Sequence, residues 1–189
     1  ALSVRTLRSL EAGEEGTISY LPPFALRQST EMRRLKLEDR LFLCRCPRCE
    51  WPADLSRGFR CPASGCPGVC FMQSSTGLCE AGAPAASLPC TACGAALAGP
   101  TLEEALEHEA RYGFVVEYGT MAHDPATAMG LAQGAALVFR QHWIVAAITE
   151  AVLGHGTLAG TGAEAAARLQ SLQELRAVAF APWPWLAGG

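Results

Sequence analysis

Residues 42–49 read FLCRCPRC, and this run decides how the rest of the 189-residue chain is interpreted. Two cysteines on one short turn supply half of a tetrahedral zinc site. The run holds three, Cys44, Cys46 and Cys49, in a C-x-C-x2-C spacing. Three thiolates leave such a site one ligand short. No obvious residue nearby completes it, so we expect the fourth ligand to lie before Ala1.

The remaining cysteines extend the zinc interpretation. All nine cysteines fall between Cys44 and Cys93, and the odd count without a secretory signal favours reduced, metal-binding thiols over disulfides. Residues 61–66 (CPASGC) and 90–94 (CTACG) are two more half-sites, and Gly94 fits the positive-φ turn of a zinc knuckle. We predict one four-thiolate ribbon formed by Cys61, Cys66, Cys90 and Cys93.

Two cysteines stay open at this stage. Cys70 is a rival to Cys66, because residues 66–70 (CPGVC) offer another ligand spacing, and Cys79 is interpreted as a buried or free thiol. Structural zinc supplies on the order of 10 kcal/mol of folding free energy. Residues 51–100 are rich in Gly, Pro, Ser and Ala, so we expect this segment not to hold one conformation without metal.

The composition favours a folded chain. Half of the residues are hydrophobic and 17% are charged, and the net charge is −3 with a pI of about 5.8. These values disfavour a broad nucleic-acid footprint, as does the lack of interleaved basic and aromatic residues. Polar residues interrupt the most apolar stretch, 131–153, so we interpret it as a buried helix and expect no membrane span. The chain starts with Ala1 and shows no signal peptide, so we expect a fragment of a longer protein.

The first 41 residues predict short strands followed by a helix. Alternation of Leu2, Val4 and Thr6 with polar residues predicts one strand, residues 12–15 a turn and residues 17–20 a second strand. A helix is predicted over residues 29–41, capped by Ser29 or Thr30. Its apolar spacing rests on Met32, Leu35 and Leu37, and its solvated residues are predicted to be Arg33, Arg34 and Lys36.

The C-terminal half predicts helices. Residues 101–104 (TLEE) form a capping box that opens one helix, and a long, mostly buried helix runs from Ala126 or Thr127 to about Leu153. A glycine-rich connection, 154–162, leads to a third helix opened by residues 161–164. The four histidines are scattered, so we interpret each as a surface or satisfied core residue. The predicted fold class is α+β.

The order of the motifs carries a family resemblance over residues 2–50. Joined in this order, they resemble the C-terminal end of a SET domain and its post-SET cysteine cluster, in the style of the SMYD (SET and MYND) lysine methyltransferases. The motifs are Gly13-Glu14-Glu15, Ile18-Ser19-Tyr20, Thr30-x-x-Arg33-Arg34-x-x-Leu37 and Phe42-x-Cys44-x-Cys46-x-x-Cys49.

The resemblance implies roles for several residues. Tyr20 matches the family tyrosine that closes the lysine channel and borders S-adenosylmethionine, and Phe42 matches the aromatic residue near the adenine ring. Cys44, Cys46 and Cys49 match the post-SET zinc ligands, whose fourth thiolate comes from an upstream Asn-His-x-Cys segment. Glu14 and Glu15 match a structural turn.

The resemblance therefore implies a segment order and a function. The order is the end of a SET domain (1–43), the post-SET cluster (44–50), a second zinc ribbon (51–100) and an α-helical region (101–189). The implied function is S-adenosylmethionine-dependent methylation of a lysine on a histone or non-histone protein, in the cytoplasm, the nucleus or both. The alternative is a non-catalytic, zinc-stabilised protein-interaction module derived from a SET relative. Neither the substrate protein, the degree of methylation nor the oligomeric state follows from these residues.

Overall fold

The protein has a mixed α+β fold built around a small antiparallel sheet. The computed structural model describes residues 9, 11–14, 18–74, 85–118 and 125–154. The elements, in chain order, are α1 (Pro23–Leu26), α2 (Thr30–Glu38), α3 (Pro47–Glu50), β1 (Ala53–Arg60), β2 (Val69–Gln73), α4 (Pro100–Tyr118), α5 (Pro125–Val138), β3 (Phe139–His142) and α6 (Trp143–Gly154).

The sheet has the order β2-β1-β3, with both pairs antiparallel. Phe59 of β1 lies opposite Phe139 while Arg57 lies opposite His142, so β3 carries one extra residue and bulges. The bulge brings the β3 backbone against Gly58, where an added Cβ would meet the carbonyl oxygen of Arg140 at 2.2 Å. Glycine is required at this position because the two backbones approach so closely.

The main core lies where the sheet meets α4, α5 and α6. Small residues of α5 spaced four and three apart, Ala128, Ala132 and Ala135, are fully buried and let α5 pack closely in the core. The rings of Phe59 and Phe139 meet edge to face at 5.4 Å in the same core. Other members include Met72 of β2 and the α6 residues Ile144, Val145 and Ile148.

The predicted single helix from Ala126 or Thr127 to about Leu153 is wrong. The chain forms α5, then strand β3, then α6, and Gln141 adopts a positive φ of 57° at the break. The apolar pattern runs on through Phe139 and Ile144, so periodicity alone does not mark the break. Pairing of residues 139–142 with β1 makes the strand, which is a tertiary effect.

The segment before the cysteines is simpler than predicted. The turn near Gly13 is confirmed, with φ +89° and a hydrogen bond from the Glu14 N–H to the Glu11 carbonyl of 3.0 Å. The predicted strand at residues 2–6 lies outside the described residues. Residues 18–20 of the predicted second strand are not in a strand, and Ser19 instead bonds to the backbone of Leu21 at 2.9 and 3.1 Å.

Helix α2 is shorter than predicted and presents a different face to the protein. Ser29 caps it by accepting from the Met32 N–H at 3.2 Å, and it ends at Glu38. The prediction that Arg33 and Arg34 are solvated is wrong, because they are only 3% and 5% exposed. Leu35, which belongs to the apolar spacing that predicted this helix, is half exposed. The buried face is therefore mostly polar.

Helix α4 begins at Pro100, one residue before the predicted capping box. Proline suits the first helical position because its fixed φ matches the helix and its missing N–H is not needed there. The hydroxyl of Thr101 donates back to the Ala98 carbonyl at 2.8 Å rather than capping the helix. No helix among the described residues has the length and apolarity needed to cross a membrane.

Candidate metal centres

Four cysteines meet at one end of the β1–β2 hairpin. Two of them, Cys61 and Cys66, lie on the connection between β1 and β2, and the other two, Cys90 and Cys93, lie on the segment after β2. All four Sγ atoms lie within 4.8 Å of one another. This is the set predicted from the sequence.

The sulfur distances fit a tetrahedral ion. Four sulfurs about 2.3 Å from a central zinc would be about 3.8 Å apart. The Sγ atoms of Cys61 and Cys93 are 3.4 Å apart, and those of Cys66 and Cys90 are 3.7 Å apart. Small outward shifts of the side chains would admit the ion, so this group can hold zinc.

Backbone amides point at the sulfurs as they do around bound thiolates. The N–H groups of Ala63 and Gly68 lie 3.4 Å from the Sγ atoms of Cys61 and Cys66, and that of Ala92 lies 3.5 Å from Cys90 Sγ. Such donors stabilise the anionic form of sulfur. Three of the four cysteines thus have a backbone donor two residues further along the chain.

The loop at residues 90–94 forms the predicted knuckle. Gly94 has a φ of +78°, and its N–H donates to the Cys90 carbonyl at 3.1 Å. The loop is fixed to β2 because Thr91 and Val69 exchange hydrogen bonds of 3.0 and 3.1 Å. The second half-site is therefore positioned by the sheet.

The thiols of this group do not ionise alike. Hydrogen bonds from the backbone N–H groups of Ala92 and Cys93 lower the pKa of Cys90 to about 6, whereas burial raises the pKa of Cys61. Zinc binding must therefore displace protons from some of the thiols, which makes the affinity dependent on pH.

Cys70 is not a member of the group. It is fully buried in the main core, and its Sγ donates to the Ala95 carbonyl at 3.6 Å. Of the two spacings left open by the sequence, the structure uses Cys66. Cys79 lies outside the described residues.

The second group consists of Cys44, Cys46 and Cys49, whose Sγ atoms also lie within 4.8 Å of one another. Cys46 is the residue before α3, and its carbonyl accepts from the Cys49 N–H at 2.8 Å, which folds the turn. Among the described residues the group holds these three members. Three thiolates with one further ligand can hold zinc.

The thiols of this second group also differ in their pKa values. Burial raises the pKa of Cys44 to about 11. Burial acts the same way on Cys46, but hydrogen bonds from the Cys49 backbone N–H and from the neighbouring thiols lower its pKa. Of these two thiols, Cys46 therefore loses its proton more readily.

Tyr20 and Phe42, to which the family resemblance gives cofactor-binding roles, contact each other. Their ring centroids are 5.6 Å apart in an edge-to-face arrangement, and Phe42 lies two residues before Cys44. Tyr20 is 57% exposed and Phe42 42% exposed. The contact presents a partly open aromatic surface beside the three-cysteine group.

Sequence reasoning missed the arginines behind this group. The Nη2 atom of Arg33 lies 3.6 Å from Cys49 Sγ, and Arg34 donates to the Cys49 carbonyl at 3.0 Å. A signal was present, since Thr30, Arg33, Arg34 and Leu37 follow the i, i+3, i+4, i+7 spacing of one helix face. The face is polar, so a search for apolar periodicity passes over it.

A buried ionic cluster was also missed. Arg57 of β1 makes two hydrogen bonds, of 2.8 and 2.6 Å, to the Glu109 carboxylate of α4. His142 is buried, and its Nδ1 accepts from the Ile144 N–H at 3.2 Å, which assigns the ring proton to Nε2. Nε2 faces Glu109 Oε1 at 3.3 Å, outside good hydrogen-bond geometry. This cluster ties α4 to β1 and β3.

Comparisons with known proteins do not identify a family for this chain. No protein-family model matches this chain, and a search of curated proteins finds no relative. The fold and the two cysteine groups define an α+β protein with two centres that can hold zinc.

Proposed function

We propose that this chain is the C-terminal part of a SET-domain, SMYD-like protein-lysine N-methyltransferase with structural zinc. The contact between Tyr20 and Phe42, directly before the three-cysteine group, is the observation that carries the proposal. The two residues are 22 positions apart, and the family resemblance assigns both to the neighbourhood of the cofactor.

The two rings fit the role given to them. Half-exposed aromatic rings offer the apolar, π-rich surface against which an adenine ring or a sulfonium cation packs. S-adenosylmethionine would supply an electrophilic methyl group to a neutral lysine amine of the protein substrate. The Tyr20 hydroxyl would orient that amine, because a phenol both donates and accepts hydrogen bonds without carrying charge.

Zinc has a structural role in the proposal. The four-cysteine group would fix the β1–β2 hairpin, and the three-cysteine group would fix the backbone after Phe42. The fourth ligand of the latter would come from an Asn-His-x-Cys segment, a motif that this sequence does not contain. The proposed setting is cytoplasmic, nuclear or both.

The test is methyl transfer by the complete protein product of the gene. Labelled S-adenosylmethionine and core histones are supplied, and Tyr20→Phe is compared with Tyr112→Phe. Tyr112 lies in α4, where its ring packs against Phe139, and it serves as the matched control. Loss of the orienting hydroxyl should lower transfer by about tenfold or more, or change the number of methyl groups added. Equal rates in the two variants contradict the role of Tyr20.

A non-catalytic interaction module is the second candidate, and a groove favours it. Between α2 and α4 runs a groove of about 470 Å³ whose lining includes Met32, Phe114 and Tyr118. Phe114 and Tyr118 are mostly exposed, and their rings pack at 5.1 Å. Exposed aromatic residues are common at protein-binding surfaces. Full zinc content without methyl transfer to any protein would favour this module over the enzyme.

A further inference from the structure

Three arginines converge on Cys49. Arg33 and Arg34 of α2 are almost fully buried, and Arg48 is the residue directly before Cys49 on α3. Arg48 reaches back to donate to Ser56 Oγ at 3.0 Å and to the Leu26 carbonyl. Arg34 donates to the Cys49 carbonyl, while Arg33 and Arg48 both reach Ser56 of strand β1.

The guanidinium of Arg33 contacts both the three-cysteine group and strand β1. Its Nη1 donates to the Gln28 carbonyl at 2.6 Å and approaches Ser56 Oγ at 3.4 Å. Its Nη2 donates to Thr30 Oγ1 at 3.0 Å and lies 3.6 Å from Cys49 Sγ. Ser56 belongs to β1, so one side chain contacts the cysteine group, α2 and the sheet.

The surroundings of Arg33 call for an anion. Among the described residues, Arg33 forms no ion pair with a carboxylate. The partners of its guanidinium there are the Gln28 carbonyl, the hydroxyls of Thr30 and Ser56, and Cys49 Sγ, of which the thiol can become an anion. Buried charges are costly unless paired.

A metal-bound cysteine group supplies a negative charge beside Arg33. Three thiolates around a divalent ion carry a net charge of −1, and the thiolate of Cys49 faces Arg33. Residues around metal ligands orient them and set the affinity of the site. Charged hydrogen bonds of this type are stronger than neutral ones.

We propose that Arg33 is a positioning residue for metal at Cys44, Cys46 and Cys49, and that the bound metal in turn keeps Arg33 buried against β1. The guanidinium offsets the negative charge of the metal-thiolate group and orients Cys49. Metal occupancy and the docking of α2 onto β1 are thereby coupled. The inference rests on the zinc part of the proposed function and not on methyl transfer.

The test is a cobalt(II) titration of the chain with a competing chelator. A variant with Cys44, Cys46 and Cys49 all changed to Ser identifies the signal of the four-cysteine group, and subtraction leaves that of the three-cysteine group. Arg33→Gln should weaken cobalt binding at the three-cysteine group by about 10- to 100-fold and shift its sulfur-to-cobalt absorption band at saturation. Arg33→Lys should recover part of the affinity. Arg40→Gln, an exposed change just beyond α2, should have no effect.

Two results overturn the inference. Arg33→Gln with wild-type affinity and an unshifted band removes the role of Arg33 and leaves the zinc proposal standing. Equal cobalt uptake by the wild-type chain and the triple-serine variant overturns the inference and also the zinc assigned to the three-cysteine group.

A second measurement covers the case in which Arg33→Gln does not fold. With metal on the four-cysteine group of both proteins, phenylglyoxal should modify Arg33 severalfold faster in the triple-serine variant than in the wild-type chain. The modification rate of Arg40 should be equal in both. Equal rates at Arg33 also overturn the inference.

Discussion

Gly68 shows how closely the four-cysteine group is packed. A Cβ on Gly68 would lie 2.2 Å from Cys90 Sγ and 2.8 Å from Ala92 Cβ, distances that real atoms do not adopt. The same residue donates its N–H towards Cys66 Sγ at 3.4 Å. Gly68 therefore matters both because it leaves space and because it directs an amide, and neither role is visible in the cysteine spacing.

The residue-scale prediction compares two glycine substitutions. Gly68→Ala should lower the zinc affinity of the four-cysteine group by about tenfold or more, because the methyl group displaces a ligand sulfur and its neighbouring loop. Gly130→Ala lies in α5 with open space around it, so it should stabilise the fold by about 0.5–1 kcal/mol and leave zinc affinity unchanged. Chelator competition measures the affinity and urea unfolding the stability. Equal zinc affinities in the two variants contradict the packing argument.

The elements are held together by polar contacts as well as by apolar packing, and Glu109 is the best example. It is 13% exposed and contacts Arg57 of β1 and His142 of β3 from its place on α4. Burial alone would raise its pKa, but the neighbouring His142 and the hydrogen bonds from Arg57 lower the pKa to about 2. A carboxyl group with a lowered folded-state pKa stabilises the fold above its ordinary pKa, and this stabilisation is lost as the pH falls through the folded value.

The element-scale prediction follows from that sign. The ordinary pKa of 4.5 and the folded value of about 2 correspond to about 3 kcal/mol of stabilisation at pH 7. Glu109→Gln should therefore lower the free energy of unfolding by about that amount at pH 7, and the difference from wild type should shrink between pH 5 and pH 2. Glu107→Gln, on the exposed side of the same helix, is the control. Urea unfolding at each pH gives the difference in unfolding free energy between the wild type and Glu109→Gln. Competition of protons with zinc at the cysteines affects both proteins equally and cancels in this difference. A difference in unfolding free energy that stays constant with pH contradicts the lowered pKa of Glu109.

The elements also show which features of the site and the fold could be predicted from the sequence. The four ligands Cys61, Cys66, Cys90 and Cys93 were predicted together, because knuckle spacing is a local property that the chain encodes directly. The buried face of α2 was not predicted, because its burial depends on partners such as Ser56 and Cys49 that lie elsewhere in the chain. Strand β3 was missed for the same reason, since its pairing with β1 is formed only in the tertiary fold.

At the scale of the whole molecule, the zinc ribbon and the helices share one core. The four-cysteine group lies at the edge of that core, since Cys90 belongs to it and Cys61 and Cys66 pack against it. The same core contains Ile144 and Ile148 of α6, and β3 continues the sheet that the ribbon begins. Loss of metal should therefore destabilise parts of the protein beyond the cysteine loops.

Metal removal from the four-cysteine group should destabilise the core as a unit. Structural zinc contributes on the order of 10 kcal/mol to folding in isolated zinc-binding peptides, a value comparable with the total stability of a small domain. Cys61→Ser should bind less zinc and should speed amide exchange throughout α6 as well as in residues 61–66 and 90–94. Cys70→Ser changes a buried core thiol that is not a ligand. This variant should retain full zinc content, and amide exchange in its cysteine loops should stay as slow as in the wild type. Hydrogen exchange followed by mass spectrometry separates the segments. If exchange in Cys61→Ser rises only within the cysteine loops, the ribbon folds independently of the helices, and the shared core does not transmit the loss of metal.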